Sequence, residues 1–336
     1  MVVVGRMRRG HGHLRGLPVV ALPEGRRLTL TFQGVSKWYG DTVALAEVSF
    51  ELEPGVTGLL GHNGAGKSTA LALCAGFADP STGTVRVLGH DPRREPEVYR
   101  RIGIVHDRDG LWPFLTAREL VEMMAGLRDV PDPPRAASEA IASVGLEDAA
   151  ERRVGGFSKG MRQRVKLAQA LVHSPELLLL DEPLNGLDPV QRRHVVELIR
   201  RLGAEGRTVL VSSHVLHEVE RMAPRVVVLV NGRLVAEGET GAIRDLIRDR
   251  PRTLRIAAGG AAQALARELV GEGLASGVRI DNGALVVETG DMDALGRRLM
   301  PLARDLGATV DRVEPLGDDL ESVYTYLTDH ARGRGR

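Results

Sequence analysis

The segment Gly61-His62-Asn63-Gly64-Ala65-Gly66-Lys67-Ser68-Thr69 constrains this chain more than any other. It fits G-x-x-x-x-G-K-[ST], follows the apolar run Val56–Leu60 and opens a helix-like stretch over 66–76. A strand, a glycine-rich loop and a helix start, in that order, make a phosphate cradle. Gly61, Gly64 and Gly66 let the backbone curl so that successive N–H groups point inward. His62, Asn63, Ala65 and Thr69 belong to the same cradle. The helix N-terminus adds a positive dipole end. Lys67 is placed to reach β- and γ-phosphates, and the Ser68 hydroxyl to ligate Mg²⁺. The implied ligand class is a nucleoside triphosphate. Guanine reading needs an Asn-Lys-x-Asp element, and none of the four lysines (Lys37, Lys67, Lys159 and Lys166) sits in one.

Composition narrows the setting. A chain of 336 residues is long enough for roughly two domains. Lys+Arg 45 against Asp+Glu 44 leaves a net charge of +1, so no nucleic-acid partner is expected. The single cysteine, Cys74, excludes an intramolecular disulfide and reads as a core residue. No stretch approaches the about 18 apolar residues of a membrane span. Residues 1–27 carry six arginines against Glu24, have no clear period and read as a basic disordered segment.

From Leu28 onward regular structure is expected. Leu28–Phe32 and Val48–Leu52 read as strands, and Leu177–Leu180 and Thr208–Val211 as buried strands. Thr116–Leu127, Pro134–Val144 and Met161–Val172 read as helices. Arg225–Val230, Asn231-Gly232 and Arg233–Ala236 make a hairpin. Buried strands alternating with helices argue a largely parallel α/β core. Near 249–252 the pattern changes. Strands at 253–257, 278–280, 284–288 and 309–313, with helices at 261–270, 292–306 and 319–327, give the ferredoxin-like order βαββαβ plus a helix. Residues 331–336 form a basic tail.

Other residues carry chemistry. Asp181, at the end of the run Leu177–Leu180, is placed to hold Mg²⁺ beside the phosphate loop. Glu182 follows it and can take a proton from an attacking water. His214 ends Val211-Ser-Ser-His. The C-termini of parallel strands gather at one sheet edge, where the phosphate loop also lies. Phe157-Ser158-Lys159-Gly160-Met161 precedes a helix and by itself reads as a weak capping turn; taken with the rest it is a second set of phosphate-binding donors.

Taken together, the order and spacing from about Leu28 to Ile243 resemble the nucleotide-binding subunit of an ATP-binding-cassette transporter. The resemblance implies a P-loop NTPase cassette over 28–248. It has a largely parallel core sheet, an antiparallel β part and a helical subdomain at about 108–168. A small C-terminal α+β ferredoxin-like domain follows over 249–330. It also implies roles. Phe157–Met161 stands at the family's signature, where Ser158 and Gly160 contact the γ-phosphate across a dimer. Glu182 is the catalytic glutamate, His214 the switch histidine and Tyr39 the aromatic that stacks on adenine. Asp188, in Leu184-Asn-Gly-Leu-Asp188, closes the D-loop.

There are departures from the family pattern. Lys159 and Met161 replace Gly and Gln of the signature. Asp107, in Ile102-Gly-Ile-Val-His-Asp107, replaces the Q-loop glutamine. Its carboxylate can ligate Mg²⁺ but cannot donate a hydrogen bond when ionised.

The implied activity is ATP hydrolysis with Mg²⁺. Two cassettes, two copies of this chain or this chain and a paralogue, would sandwich ATP. They would drive a separate transmembrane permease from the cytoplasmic face of the cell membrane. The signature variant and the ending Asp318–Leu327 resemble exporter ATPases. A soluble non-transport cassette ATPase and a weakly hydrolysing regulatory module are the alternatives.

Overall fold

The computed structural model describes residues 3–4, 28–107, 110–243, 252–281 and 283–316. The chain divides into two compact units, Met1–Gly241 and Ala242–Arg336.

The first unit is built on the phosphate-loop strand. Its strands are β1 (Val3–Val4), β2 (Leu30–Tyr39), β3 (Thr42–Leu52), β4 (Gly55–Leu60), β5 (Thr82–Val87), β6 (Ile102–Val105), β7 (Leu177–Asp181), β8 (Thr208–Ser213), β9 (Arg225–Val230) and β10 (Arg233–Glu239). Its helices are α1 (Lys67–Cys74), α2 (Ala117–Leu127), α3 (Pro133–Ser143), α4 (Lys159–Leu171), α5 (Pro189–Ala204) and α6 (Leu216–Met222). Seven strands form one sheet in the order β1-β10-β9-β4-β8-β7-β6. From β9 to β6 every pair is parallel, which explains the unbroken apolar runs: these strands are covered on both faces. The β9–β10 pair is the antiparallel hairpin expected at Asn231-Gly232, where both residues take positive φ (48° and 74°).

A second sheet, β3-β2-β5, is antiparallel. Helix α1 lies within one core shared with both sheets. Ala70, Leu71, Leu73 and Cys74 are buried with Leu30, Phe32, Phe50, Leu59, Leu179 and Leu229. Phe32 and Phe50 stack at 4.5 Å between ring centroids. Burial in this core pushes the Cys74 thiol pKa up, as expected for an inert core residue.

Helices α2, α3 and α4 pack on one another. Thr116 opens α2 with a capping box: its hydroxyl accepts from the Glu119 N–H and the Glu119 carboxylate accepts from the Thr116 N–H.

Some elements differ from expectation. Strand β2 runs on to Tyr39 instead of stopping at Phe32. A register shift at 33–35, with Gly34 at φ 57°, breaks the alternation, but pairing to β3 carries the strand onward. Part of the basic N-terminal segment is ordered: Val3 and Val4 pair antiparallel with Glu237 and Ala236 of β10. The rest of 1–27 lies outside the described residues. So do the helix expected at 319–327 and the tail at 331–336.

The second unit contains β11 (Arg252–Gly259), α7 (Ala262–Gly271), β12 (Gly277–Asp281), β13 (Ala284–Thr289), α8 (Met292–Asp305) and β14 (Thr309–Leu316). Its sheet has the order β12-β13-β11-β14, with every neighbour antiparallel. Leu254, Ile256, Leu285 and Val287 of the sheet share a separate core with Leu265 and Leu269 of α7 and Leu295, Leu299 and Leu302 of α8.

Candidate active site

Parallel register assembles the site. Leu60, the last residue of β4, pairs with Ser213, and Asp181, the last of β7, pairs with Ser212. Strand β6 ends alongside, Val105 opposite Leu180. The loops that follow these strands leave one sheet edge together, the usual ligand-binding edge of an open parallel sheet.

The phosphate loop fits tightly at its glycines. A Cβ on Gly61 would come within 2.5 Å of the Leu229 carbonyl oxygen. Gly66 caps α1 at φ 102°, and a Cβ there would meet the Ala44 carbonyl oxygen at 2.6 Å. Ala65 is fully buried and its carbonyl accepts from the Gly232 N–H at 3.0 Å. His62 Nδ1 lies 2.7 Å from the Asn63 carbonyl oxygen, while Asn63, Gly64 and Ser68 are exposed and Thr69 is half-buried.

Lys67 is buried. Its ammonium donates to the carbonyls of Gly61 (2.6 Å) and His62 (3.3 Å) and stands 3.7 Å from Glu182 Oε1. Burial lowers its pKa, and the charges of Glu182 and Asp181 oppose that shift. An ammonium held by two loop carbonyls and the Glu182 carboxylate is positioned to exchange the carbonyls for phosphate oxygens.

Asp181 is gripped on both oxygens. Ser212 Oγ donates to Oδ1 at 2.5 Å and Ser68 Oγ to Oδ2 at 3.2 Å. Glu182 follows at φ 47°, a left-handed conformation that costs a non-glycine residue about 1–2 kcal/mol. The two adjacent carboxylates therefore serve different partners: Asp181 faces the serines, and Glu182 faces Lys67 and His214. His214 Nδ1 lies 2.9 Å from Glu182 Oε1.

The Ser68–Asp181 pair fits Mg²⁺. Their oxygens are 3.2 Å apart, close to the about 3 Å edge of an octahedron with 2.1 Å bonds. Among the described residues no cluster of three or more His, Cys, Asp or Glu could hold a metal alone. A site of two protein oxygens completed by water and phosphate is the usual magnesium arrangement.

The signature and D-loop residues form a second group. Ser158 caps α4, accepting from the Met161 N–H at 3.2 Å, and is exposed. A Cβ on Gly160 would meet Gln191 Oε1 at 2.6 Å, and one on Gly186 would meet the Lys159 stem at 2.6 Å. Asp188 caps α5, accepting from the N–H groups of Val190 (2.9 Å) and Gln191 (2.8 Å). Thus Ser158, Gly160 and Asp188 belong to one α4–α5 junction. No described contact joins them to the phosphate loop of the same chain.

Two expected residues stand apart. Tyr39 is 51% exposed at the end of β2, its ring carrying the Lys37 ammonium 4.9 Å from the centroid. Asp107 is exposed, and no described contact joins its carboxylate to Ser68 or Asp181. Its backbone is held instead: Lys166 Nζ donates to the carbonyls of His106 (3.2 Å) and Asp107 (3.3 Å).

Sequence reasoning missed Ser212. Its hydroxyl donates to the Asp181 carboxylate and accepts the Glu182 backbone N–H at 3.1 Å, so one side chain ties down both residues. It also missed Glu218, which accepts from Ser213 Oγ at 3.2 Å and from Arg192 at 2.8 Å behind His214. The serine stood in the quoted Val211-Ser-Ser-His, but its partner was visible only through strand pairing.

Comparisons agree with this geometry. Residues 45–185 match the ABC transporter family. The Nod factor export ATP-binding protein I of Burkholderia orbicola (strain AU 1054) is 39% identical over 220 residues, covering 64% of this chain and 72% of that protein. An uncharacterized ABC transporter ATP-binding protein of Bacillus subtilis (strain 168) is 35% identical over 302 residues, covering 88% and 98%. The daunorubicin/doxorubicin resistance ATP-binding protein of Streptomyces peucetius is 38% identical over 227 residues, covering 66% and 69%. Among solved structures, an ATP-binding subunit of an ABC transporter superposes with TM-score 0.60 at 30% identity, covering 65% of this chain and 92% of that one. A dimeric, post-hydrolysis cassette bound to ADP and Pi superposes with TM-score 0.59 at 26% identity, covering 63% and 98%. With the phosphate loop, the paired carboxylates and His214 gathered at one sheet edge, this chain belongs to the ATP-binding subunits of ABC transporters and is an ATP hydrolase of that family.

Proposed function

We propose that this chain powers export through a separate membrane permease, by closing as a dimer on ATP and opening on hydrolysis. The carrying observation is the division of the site into two groups. Ser68 contacts Asp181, and Lys67 and His214 both contact the neighbouring Glu182, with Ser212 bridging the two carboxylate residues, whereas Ser158 and Gly160 lie at the α4–α5 junction with no described contact to that set. A partner cassette, a second copy or a paralogue, would bring its own Ser158 and Gly160 positions to the γ-phosphate.

The chain's own residues then divide the work. The loop N–H groups and Lys67 hold the β- and γ-phosphates, and Tyr39 offers its ring to adenine. Glu182 takes the proton of the attacking water, and His214 holds the Glu182 carboxylate in place. Ser68 and Asp181 would hold Mg²⁺, as Asp107 would from the end of β6; when bound, the ion neutralises charge on the phosphate oxygens. Relatives named for Nod factor export and for daunorubicin/doxorubicin resistance support the export direction. Among the described residues no helix is long and apolar enough to cross a membrane, which supports a separate permease and a peripheral place on the cytoplasmic face. We also propose that 249–330 is a ferredoxin-like domain that supports the dimer or regulates the cassette. Its antiparallel order β12-β13-β11-β14 favours the ferredoxin-like fold.

Size exclusion with Mg²⁺-ATP tests the dimer. Glu182→Gln should run as a dimer and the parent mostly as a monomer. Adding Ser158→Arg should return the variant to monomer. A dimer that survives Ser158→Arg overturns the composite site. Co-purification of a membrane protein with the tagged full chain tests the permease.

A further inference from the structure

A groove of about 740 Å³ runs between α5 and α6 on a part of the first unit that the nucleotide chemistry does not use. Its volume is that of a small-molecule site. Val56, Leu184 and Met222, each at most 5% exposed, and half-buried Val196 give it an apolar floor.

The rim is cationic and under-neutralised. Four arginines (Arg192, Arg193, Arg200 and Arg221) line it against three carboxylates (Glu197, Glu218 and Glu220), with His217 beside them. Arg192 already neutralises Glu218, at 2.8 Å. Arg193, Arg200 and Arg221 make no ion pair or hydrogen bond among the described residues. Arg193 and Arg200 are seven residues apart on α5, two turns or about 10.5 Å along one face. Arg192 Nε is buried without a hydrogen-bond partner, an orphan donor in the same wall.

The wall is also tied to the catalytic loop. Glu218 binds Arg192 from α5 and accepts from Ser213 Oγ; that hydroxyl in turn accepts the Val215 N–H at 3.1 Å. These contacts bracket His214. Leu184 of the floor lies two residues after Glu182.

We infer that this groove binds a small amphipathic organic anion: its anionic head among Arg193, Arg200 and Arg221, its apolar body on Val56, Leu184 and Met222. Occupancy is felt at His214 through Arg192, Glu218 and Ser213, and so alters the hydrolysis rate. The regulatory half rests on the ATPase reading above. The binding half does not.

The probe is 1-anilinonaphthalene-8-sulfonate, an aromatic anion of this class. It is titrated by fluorescence into the full chain with the nucleotide site filled by a non-hydrolysable ATP analogue and Mg²⁺. One saturable site is expected. The triple variant Arg193→Ala, Arg200→Ala, Arg221→Ala should raise its Kd at least tenfold, with ATP affinity and probe-free hydrolysis at parental levels. Saturating probe should change the parental hydrolysis rate at least twofold, and Glu218→Gln should bind the probe yet lose that response. Non-saturable binding, or equal affinity in the triple variant, overturns the site. A rate unchanged by bound probe overturns the coupling. A parent that fails to hydrolyse ATP without probe would count against the ATPase reading instead.

Discussion

His214 Nδ1 stands 2.9 Å from Glu182 Oε1, and Lys67 Nζ lies 3.7 Å from the same oxygen. A carboxylate oxygen only accepts, so Nδ1 is the donor of this hydrogen bond. Among the described contacts, His214 meets the Glu182 carboxylate directly and Lys67 of the phosphate loop through it.

His214→Ala should accordingly impair turnover more than binding. Removing one oriented donor from a hydrolytic site typically costs about 10²–10³-fold in kcat. ATP affinity should stay near parental. Steady-state hydrolysis and nucleotide titration on the same preparation check both; a variant with parental kcat would remove His214 from the mechanism.

Lys67→Ala should do the opposite and weaken binding itself. A charge-assisted hydrogen bond is worth about 1.5–3 kcal/mol, or about 10- to 100-fold in Kd. Fluorescence titration with a labelled ATP reads this directly. Unchanged affinity would mean that the carbonyls of Gly61 and His62 keep the ammonium even when nucleotide is present.

Ser212→Ala tests the residue that only strand pairing exposed. It strips the donor from Asp181 Oδ1 and the acceptor from the Glu182 N–H, both inside the protein. Stability should fall by about 1–3 kcal/mol in denaturant titration. Hydrolysis should fall about 10–100-fold, the scale of losing an orienting partner. Ser212→Thr keeps the hydroxyl and should recover most of the activity. Equal loss in both variants would point to packing instead.

Asp107 can be separated from Asp181 by magnesium. If it reaches the ion from the end of β6, Asp107→Ala should raise the Mg²⁺ needed for half-maximal hydrolysis about tenfold. Asp107→Gln, which restores the usual family residue, should keep activity. Superimposable magnesium curves for parent and both variants would leave the metal to Ser68 and Asp181.

Much of the site was legible in the chain itself, because its chemistry is written in short contiguous runs. Gly61–Thr69 must make a turn and a helix start directly after a strand, and the residues read as a phosphate cradle are those that permit that turn. Asp181 and Glu182 were readable for the same reason, standing at the end of an apolar run of strand length. The hairpin at Asn231-Gly232 is a local backbone preference and formed where expected.

Tertiary structure decided whatever depended on which strand lies beside which. Nothing in the linear order says that β8 sits between β4 and β7, yet that adjacency sets Ser212 against Asp181 and Ser213 against Leu60. Ser212, Glu218 and the Arg192 contact carry no local signature, since a serine in a strand and a Glu–Arg pair occur on any surface. The left-handed turn at Glu182 is likewise unmarked by its residue type, and it lies where the two neighbouring carboxylates part to different partners. Asp107 shows the reverse. The family resemblance aligned it with the Q-loop glutamine, but Asp107 is exposed while Lys166 grips its backbone. Sequence spacing sets where a residue falls along a strand or loop; the register of neighbouring strands and the packing of distant side chains set what it touches.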